Sequence, residues 1–252
     1  LPQDIRDAAQ TGTMRHAIHG AAPCPAHIKR AMIAWWGLVI SELYGGTEAF
    51  GHSFITSEEW LAHPGSVGKP AKGCTLRITD VDGKEVPTGV QGRIMMKNGI
   101  SVAYHGDAAK TAELYDETGF ASLGDIGYVD AEGYLYLTDR ESHMIIVGGA
   151  NVYPQEAENI LLEHPAIADV AVVGVPDADM GEAIRGIVQL KVGHDESEAL
   201  AHEIVTFCRA RLSLHKCPRA IDFASELPRN DAGKLLKRVL RERYWKAEER
   251  MI

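Results

Sequence analysis

Cysteine is scarce in this sequence and follows none of the spacings that indicate a zinc site or a dense disulfide framework. The four cysteines are Cys24, Cys74, Cys208 and Cys217 among 252 residues. With neither pattern present, a reducing, cytoplasmic environment is the expectation. Long apolar runs are also missing: none approaches the roughly 20 residues of a membrane-spanning helix, and no signal peptide is visible. We therefore expect no stable insertion into a membrane.

Positive charge is in short supply. The chain has 26 Lys and Arg against 35 Asp and Glu, which gives a net charge of −9. Nonspecific binding to nucleic acid depends on clustered Lys and Arg, so this composition argues against nucleic acid as a partner. A hydrophobic content of 45% with 24% charged residues is typical of a globular protein with one large core or two smaller ones. The sequence begins with Leu rather than Met, and we expect it to be part of a longer protein.

The first part of the chain combines one helix with many short strands. Apolar residues at helical spacing predict a helix over residues 26–34. The apolar run at 38–40 is typical of a strand that leads into a turn. Between residues 65 and 140, short apolar stretches alternate with turn residues and predict two hairpins, with Asp82-Gly83 and Glu132-Gly133 at their tips.

The pattern changes after residue 140, where longer helices alternate with β-rich stretches. The expected elements are a strand at 144–147, a helix at 155–162, strands at 168–175 and 184–192, a helix at 196–212 and a third helix from Lys234 onward. These elements make an α+β unit of small-domain size. We therefore predict an α/β protein with a β-rich first domain (1–139) and a small α+β second domain (140–252).

A polar turn with the sequence YGGTE, residues 44–48, follows the first apolar strand. Gly45 and Gly46 allow the backbone to approach a ligand closely, and Thr47 and Glu48 add a hydroxyl and a carboxylate. Backbone N–H groups and a hydroxyl suit phosphate oxygens, and a carboxylate suits Mg²⁺. The alternative is a plain strand-to-helix turn with Thr47 or Glu48 near the helix N-terminus.

Two further polar clusters have both a functional and a plain interpretation. In SLGDIGYVD, Asp125 can chelate the vicinal hydroxyls of a ribose, or it can belong to an ordinary Gly-Asp turn. In ELPRNDAGKLLKR, Lys234 can stabilise charge that develops between a carboxylate and a phosphate, or it can be a surface lysine at a solvated turn. The chain has no Walker-type phosphate loop, and GGANVYPQE lacks the glycine spacing of a dinucleotide fold.

Taken in order, four segments resemble the signature motifs of the adenylate-forming superfamily, which includes acyl-CoA synthetases, firefly luciferase and peptide-synthetase adenylation domains. They are YGGTE, GDIGYVDAEGYLYLTDR, MIIVGGANVYPQEAENIL and LPRNDAGKLLKR. The intervening segments HPGSVGKP, VQGRIMMKN and VVGVPDADMGEAIRGIVQLK also resemble this family, so the resemblance covers nearly the whole chain. Among the branches of the family, three segments most resemble the acyl-CoA ligases that act on fatty, aromatic or steroid-type acids: IHGAAPCP, EEWLAHPGSVGKP and DRESHMIIVGGANVYPQE.

The resemblance implies the C-terminal, β-rich part of a large adenylation domain, followed by a small mobile lid domain. It also implies an acid–thiol ligase of the acyl-CoA synthetase type, which uses ATP and Mg²⁺ to convert a small-molecule carboxylic acid into an acyl-adenylate and passes the acyl group to CoA. The family's Ser-, Thr- and Gly-rich phosphate loop and most of its nucleotide-binding sheet are missing from the sequence. We therefore expect roughly the second half of such an enzyme, inactive without the first half.

The resemblance also assigns roles to individual residues. Thr47 hydrogen-bonds the α-phosphate, Glu48 holds Mg²⁺, and Asp125 and Arg140 bind the ribose. Lys234 reaches the attacking carboxylate and the α-phosphate during adenylation and matters little for thioester formation. The same motifs place Tyr44, Gly45 and Gly46 in the nucleotide site.

In the family, the second half-reaction requires the small domain to turn about a hinge. The resemblance places this hinge at Ser142, where the family usually has Asp or Lys. Gly148 and Gly149 then line a passage for the pantetheine arm of CoA; the alternative for these two glycines is a tight β-turn. The acyl pocket includes His19, Gly20, Ala21 and Gly46. For His19, the alternative is an ordinary surface histidine.

Other functions are compatible with the sequence. A 252-residue chain that acts alone would be a non-catalytic nucleotide-binding or interaction module that kept the fold. A peptide-synthetase-like adenylation unit would pass the acyl group to a carrier-protein thiol, but no carrier domain follows in the sequence, which favours CoA. Oxygenation of the luciferase type is a rare outcome on this scaffold, and fold alone does not fix function. The sequence indicates neither the acid that is activated nor the oligomeric state.

Overall fold

The computed structural model of the protein describes residues 1–22, 24–231 and 233–249. The chain divides into two compact units, Leu1–Leu137 and Thr138–Ile252; the division expected from the sequence lies two residues later. Within the described residues, no helix has both the length and the apolar character needed to cross a membrane.

The first unit is built on an eight-stranded sheet with short helices. Its helices are α1 (Gln3–Ala8), α2 (Ala26–Trp36), α3 (Ser57–Ala62) and α4 (Ala108–Leu114). The strands of this sheet are β1 (Ala17–Gly20), β2 (Ile40–Gly45), β3 (His52–Ile55), β4 (Ser66–Pro70), β5 (Thr75–Thr79), β6 (Gly92–Lys97), β7 (Asp125–Val129) and β8 (Leu135–Arg140). The last three residues of β8 already belong to the second unit. The strand order is β1-β2-β3-β4-β8-β7-β6-β5, and β1 pairs with β2 in parallel.

Both predicted hairpin tips are confirmed, and an aspartate shapes each of them. The Asp80 carboxylate accepts two backbone N–H groups of its own turn at 2.9 Å, and Asp130 does the same in the β7–β8 hairpin. Gly83 and Gly133 have φ values of 78° and 85°. Because this left-handed region is strained for residues with a Cβ, each tip needs its glycine.

Two predictions in this unit require correction. Helix α2 continues two residues beyond the predicted 26–34 and ends at Trp36, followed by Gly37 with a φ of 84°, a common way to end a helix. The strand predicted at 38–40 in fact begins at Ile40 and continues through Gly45. Its main-chain pairing with β1 on one side and β3 on the other carries the extended conformation into the YGGTE segment.

The second unit has a five-stranded sheet with helices on both faces. Its strands are β9 (Ile145–Val147), β10 (Ala150–Val152), β11 (Ile167–Asp177), β12 (Gly181–Leu190) and β13 (Ala220–Phe223). Its helices are α5 (Pro154–Leu161), α6 (Glu198–Arg209) and α7 (Lys237–Glu249). The strand order is β10-β9-β12-β11, with β13 parallel beside β12.

The apolar sequence of β11 follows from burial of both its faces. Val170 and Val172 belong to one core together with residues of α5 and α6. Ala171 and Val173, which point to the opposite face, belong to a second core with Leu240 of α7. A strand buried on both sides has no need for polar alternation.

The third predicted helix also requires correction. It begins at Lys237 rather than at Lys234. The Leu236 N–H bonds back to the Pro228 carbonyl oxygen at 2.8 Å, and the Asn230 N–H bonds to the Lys234 carbonyl oxygen at 3.0 Å. Lys234 therefore lies on a turn ahead of the helix.

Candidate active site

The YGGTE segment connects two antiparallel strands. Tyr44 and Gly45 are the last residues of β2, and Gly45 pairs with His52 of β3. The Ala49 N–H donates to the Gly46 carbonyl oxygen at 3.1 Å to close the turn between the strands. The plain interpretation as a strand-to-helix turn is therefore wrong, because β3 and not a helix follows.

Gly46 leaves room for the Glu48 side chain to fold back over the backbone of its own turn. A Cβ at this position would lie 2.5 Å from Oε2 of Glu48 and 2.8 Å from Cδ2 of Leu123. A larger residue at this position would therefore displace these two side chains from their present positions.

Thr47 and Glu48 line a cleft of about 280 Å³ with residues of the 102–114 segment. The Thr47 hydroxyl lies 3.5 Å from Oε2 of Glu48, and the Tyr104 hydroxyl donates to Oε1 of Glu48 at 2.9 Å. This hydrogen bond raises the pKa of Tyr104. Hydroxyl and carboxylate oxygens are the donor types that Mg²⁺ prefers, so these side chains fit a magnesium nucleotide.

Tyr104 was missed by the sequence interpretation. It lies 56 residues after Glu48, in the SVAYHG segment, which contains no motif from which the chemistry of the site can be derived. The sequence around Tyr104 shows only a polar aromatic residue followed by a helix with an Asp cap, and this pattern by itself does not indicate a contact with Glu48.

Asp125 lies at the other side of the same turn. It opens β7, its side chain is buried, and its Oδ2 accepts a hydrogen bond from the Tyr44 hydroxyl at 2.8 Å. The two residues are 81 positions apart in the chain. The structure therefore joins Asp125 to Tyr44, which is three and four residues away from Thr47 and Glu48 in the chain.

A buried ion pair joins helix α2 to strand β2. Lys29 of α2 is only 1% exposed, and its ammonium group lies 2.5 Å from Oε2 of Glu42. Glu42 and Tyr44 are two residues apart on β2 and so point to the same face of the sheet. The sequence did not predict the burial of Lys29. A lysine is buried only when a partner neutralises its charge, and here the partner lies 13 residues away on another element.

The residues expected at the acyl pocket belong to β1 and to the bend after it. His19 pairs in register with Glu42, and its Nε2 lies 3.5 Å from the Glu42 carboxylate. Burial lowers the pKa of His19, and the Glu42 charge partly opposes this effect. Gly20 allows tight pairing with β2, since a Cβ there would lie 2.4 Å from the Leu43 carbonyl oxygen. Ala21 is exposed and has a φ of 66°.

In the second unit, Arg140 ends β8 and Ser142 is the exposed middle residue of a single 3₁₀ turn, Glu141–His143. The preceding Asp139 is buried. Its carboxylate accepts hydrogen bonds from the Gln155 N–H at 2.8 Å and pairs with His143 Nδ1 at 3.0 Å. Burial by itself would raise the pKa of Asp139, but these hydrogen bonds and the Lys237 charge outweigh it and lower the pKa. Asp139 thus fixes the backbone on both sides of Ser142.

Gly148 and Gly149 form the two-residue turn of the β9–β10 hairpin. Their φ values are 56° and 84°, which matches the turn that favours glycine at both central positions. A Cβ on Gly148 would lie 2.4 Å from Cε of Met180. The tight β-turn considered for these residues is therefore present, and their proposed contact with CoA has to be compatible with it.

Lys234 is exposed on the turn that precedes α7. Its N–H donates to Asn230 Oδ1 at 2.8 Å, and Gly233, with a φ of 78°, shapes the same turn. Three residues later, Lys237 is buried, with its ammonium group 2.8 Å from the buried Glu158 carboxylate. The Lys234 backbone is thus held by Asn230, while its side chain is exposed.

The expected site residues fall into two sets, one in each unit. In the first unit, Thr47 and Glu48 line one cleft, and Asp125 bonds to Tyr44 of the same 44–48 segment. The second unit contributes Arg140, Ser142, Gly148, Gly149 and Lys234, which lie on separate turns and strand ends.

Comparison with known proteins matches each of the two units to a family model of AMP-binding enzymes. The family model described as AMP-binding enzyme matches residues 2–103, and the model described as AMP-binding enzyme C-terminal domain matches residues 156–234. The 2-succinylbenzoate–CoA ligase of Bacillus cytotoxicus is 37% identical over 244 residues, which are 96% of this chain and 49% of that protein.

Solved structures are similar in fold as well as in sequence. The ATP-bound MatB of Rhodopseudomonas palustris has a TM-score of 0.85 and 34% identity, over 92% of this chain and 46% of that one. The o-succinylbenzoate CoA synthetase of Bacillus subtilis, in complex with its acyl-adenylate intermediate, has a TM-score of 0.79 and 29% identity, over 94% of this chain and 49% of that one. The chain therefore spans about half the length of the relatives it matches. Two models of one enzyme family match in chain order over most of the sequence, and so the chain belongs to the adenylate-forming family of AMP-binding enzymes.

Proposed function

We propose that this chain is the second half of an ATP-dependent acid–thiol ligase, which activates a carboxylic acid as an acyl-adenylate and transfers the acyl group to CoA. The observation that carries the proposal is the anchored turn at 44–48. Its Thr47 and Glu48 line one cleft, and its Tyr44 is tied to the buried Asp125. A magnesium nucleotide needs such a set of a hydroxyl, a metal-binding carboxylate and a ribose-binding carboxylate.

In the first step, a carboxylate oxygen of the acid attacks the α-phosphorus of ATP, and the bond from that phosphorus to pyrophosphate breaks. Thr47 donates a hydrogen bond to an α-phosphate oxygen, and Glu48 holds Mg²⁺. When bound, the ion disperses the negative charge of the leaving pyrophosphate. Within the described residues, no cluster of three or more His, Cys, Asp or Glu is arranged for a metal.

The ribose and the attacking carboxylate are held by the remaining charged residues. Asp125 accepts hydrogen bonds from the ribose hydroxyls, and its bond from Tyr44 at 2.8 Å fixes the orientation of its carboxylate. Arg140 contributes a second contact to the ribose. Lys234 places its ammonium group between the attacking carboxylate and the α-phosphate, where it aligns the two and stabilises the developing charge.

In the second step, the thiol sulfur of CoA attacks the acyl carbonyl carbon, and the carbon–oxygen bond to AMP breaks. We infer that the second unit turns about Ser142 between the two steps, which withdraws Lys234 and brings the β9–β10 hairpin to the site. Gly148 and Gly149 present only backbone there and leave space for the pantetheine arm. The acid is held by His19, Gly20, Ala21 and Gly46. We also propose that the enzyme is cytoplasmic.

Two measurements on the native product that contains this chain test the proposal. An intact mass about twice the 27.5 kDa of this chain is expected, because the large domain needs the part that the chain does not cover. That product should exchange radiolabelled pyrophosphate into ATP only when a suitable carboxylic acid from a panel is present. A native mass of 27.5 kDa without exchange would contradict the proposal and favour a nucleotide-binding module.

The acceptor is tested separately. With the acid that supports exchange, CoA should release AMP and form a thioester. If a carrier-protein thiol releases AMP and CoA does not, the peptide-synthetase-like alternative is correct and the first step of the proposal stands.

A further inference from the structure

A hydrogen bond between Tyr104 and Glu48 joins two distant segments of the first unit. The Tyr104 hydroxyl donates to Oε1 of Glu48 at 2.9 Å, across 56 residues of sequence. Both side chains line the same cleft as Thr47. Neither the motif that contains Glu48 nor any feature near Tyr104 in the sequence predicts this contact.

Tyr104 is itself held in place from two sides. Its N–H donates to the Thr111 hydroxyl at 2.9 Å, and that hydroxyl donates to the Asp107 carbonyl oxygen at 2.7 Å. The Lys110 ammonium group lies 4.4 Å from the centre of the Tyr104 ring, a favourable cation–π distance. The first turn of α4 therefore fixes both the backbone and the ring of Tyr104.

The two oxygens of the Glu48 carboxylate have different surroundings as a result. Oε1 is bonded to Tyr104, whereas Oε2 lies on the side of Thr47, 3.5 Å from its hydroxyl. We propose that Tyr104 is a positioning residue that fixes the Glu48 carboxylate so that Oε2 faces the magnesium nucleotide. The proposal rests on the proposed function, in which Glu48 holds Mg²⁺.

Removal of the Tyr104 hydroxyl should weaken metal binding and leave the chemistry intact. Without this bond, Glu48 can rotate, and part of the free energy of metal binding is spent on ordering it. Loss of a hydrogen-bond partner to a metal ligand typically costs about 10–100-fold in affinity or activity. Because Tyr104 is partly exposed and water can replace its hydroxyl, we expect the lower end, about tenfold.

The kinetic test compares Tyr104→Phe with Tyr136→Phe in the native product. Tyr136 is a matched control, since its hydroxyl also bonds a carboxylate, Asp130 Oδ2, at 3.2 Å in the β7–β8 hairpin. Tyr104→Phe should raise the half-saturating Mg²⁺ concentration for acid-dependent pyrophosphate exchange about tenfold, with the maximal rate regained at high Mg²⁺. Tyr136→Phe should leave the Mg²⁺ dependence unchanged. A lower maximal rate with an unchanged Mg²⁺ dependence would overturn the proposal.

A second readout does not depend on turnover. In protein labelled at the tyrosine ring carbons that carry the hydroxyl, the NMR resonance lost in Tyr104→Phe identifies Tyr104. Since the Tyr104 hydroxyl donates to Oε1 of Glu48 at 2.9 Å, Glu48→Gln should change the chemical shift of this resonance. Mn²⁺ added with ATP should broaden it more than the resonance of Tyr136.

The outcomes separate the two levels of inference. Absence of exchange with every acid would contradict the proposed function, while the response of the Tyr104 chemical shift to Glu48→Gln would still decide whether Tyr104 and Glu48 interact. A Tyr104 resonance that is insensitive to Glu48→Gln, or that stays sharp with Mn²⁺ and ATP, would overturn the role of Tyr104.

Discussion

Replacement of Lys234 by Ala and of Lys237 by Met should separate catalysis from stability within one short segment. The two lysines are three residues apart, one exposed on a turn and the other buried at the start of α7. Lys234→Ala should slow adenylation and leave the fold unchanged. Lys237→Met should destabilise the second unit.

The effect at Lys237 follows from its buried partner. Glu158 is 4% exposed, and its carboxylate bonds both the Lys237 ammonium group at 2.8 Å and the Val172 N–H at 2.7 Å. Lys237→Met leaves this charge buried without its cation, at a cost of about 3–5 kcal/mol. For a unit of this size, the midpoint of thermal unfolding should fall by on the order of 15 °C. Adding Glu158→Gln removes the charge and should restore part of the loss.

The effect at Lys234 follows from its exposure. An exposed residue on a turn usually changes the unfolding free energy by less than about 0.5 kcal/mol when replaced. Loss of a single group that stabilises developing charge typically lowers the rate by about 10²–10³-fold. The adenylating step should therefore slow by this factor, while thioester formation from preformed acyl-adenylate is retained.

The assays are calorimetric unfolding of both variants, pyrophosphate exchange for the first step, and AMP release from added acyl-adenylate and CoA for the second. Equal loss in both half-reactions for Lys234→Ala would refute its assigned role. So would a fall in unfolding temperature as large as that of Lys237→Met, since the lysine would then act through the fold.

Three other predictions concern turns and titration. Gly46→Ala should displace the Glu48 carboxylate, because the new Cβ would lie 2.5 Å from Oε2, and should raise the half-saturating Mg²⁺ concentration in pyrophosphate exchange; an unchanged value would contradict the geometry. Gly148→Ala should slow thioester formation more than adenylation, since its Cβ would meet Met180 at 2.4 Å, and adding Met180→Ala should relieve the part of the effect that arises from this clash. The pKa of Asp139 is lower in the folded protein than its ordinary value of roughly 3.9, so its stabilisation is present above that pH and is lost as the pH falls toward the folded-state value. Urea unfolding should therefore show a steeper loss of stability below about pH 4 in the wild type than in Asp139→Asn.

Local signals in the sequence were sufficient for much of the fold. The Asp-Gly and Glu-Gly tips predicted the hairpins because a turn with positive φ depends on a few adjacent residues. The apolar stretches of β11 and β12 predicted buried strands for a similar reason, since their length and β-branched content are visible locally. The sequence predicted a helix from Lys234 onward, but α7 begins three residues later, at Lys237. The reason is that the Leu236 N–H bonds to Pro228, outside the helix.

The candidate site, like the fold, has one part that the sequence predicts and another that only the tertiary structure determines. The sequence by itself determined which segments carry the motifs of the adenylate-forming family, from YGGTE to the Lys234 turn, because their composition and order are visible in the sequence. Only the tertiary structure decided which side chains meet: Tyr44 with Asp125, Tyr104 with Glu48, and Lys29 with Glu42. The first two pairs are joined across 81 and 56 residues, and such contacts depend on how strands and loops pack, which no local pattern encodes. The burial of Lys29 has the same cause, because a lysine is tolerated in the interior only where the fold supplies a carboxylate beside it.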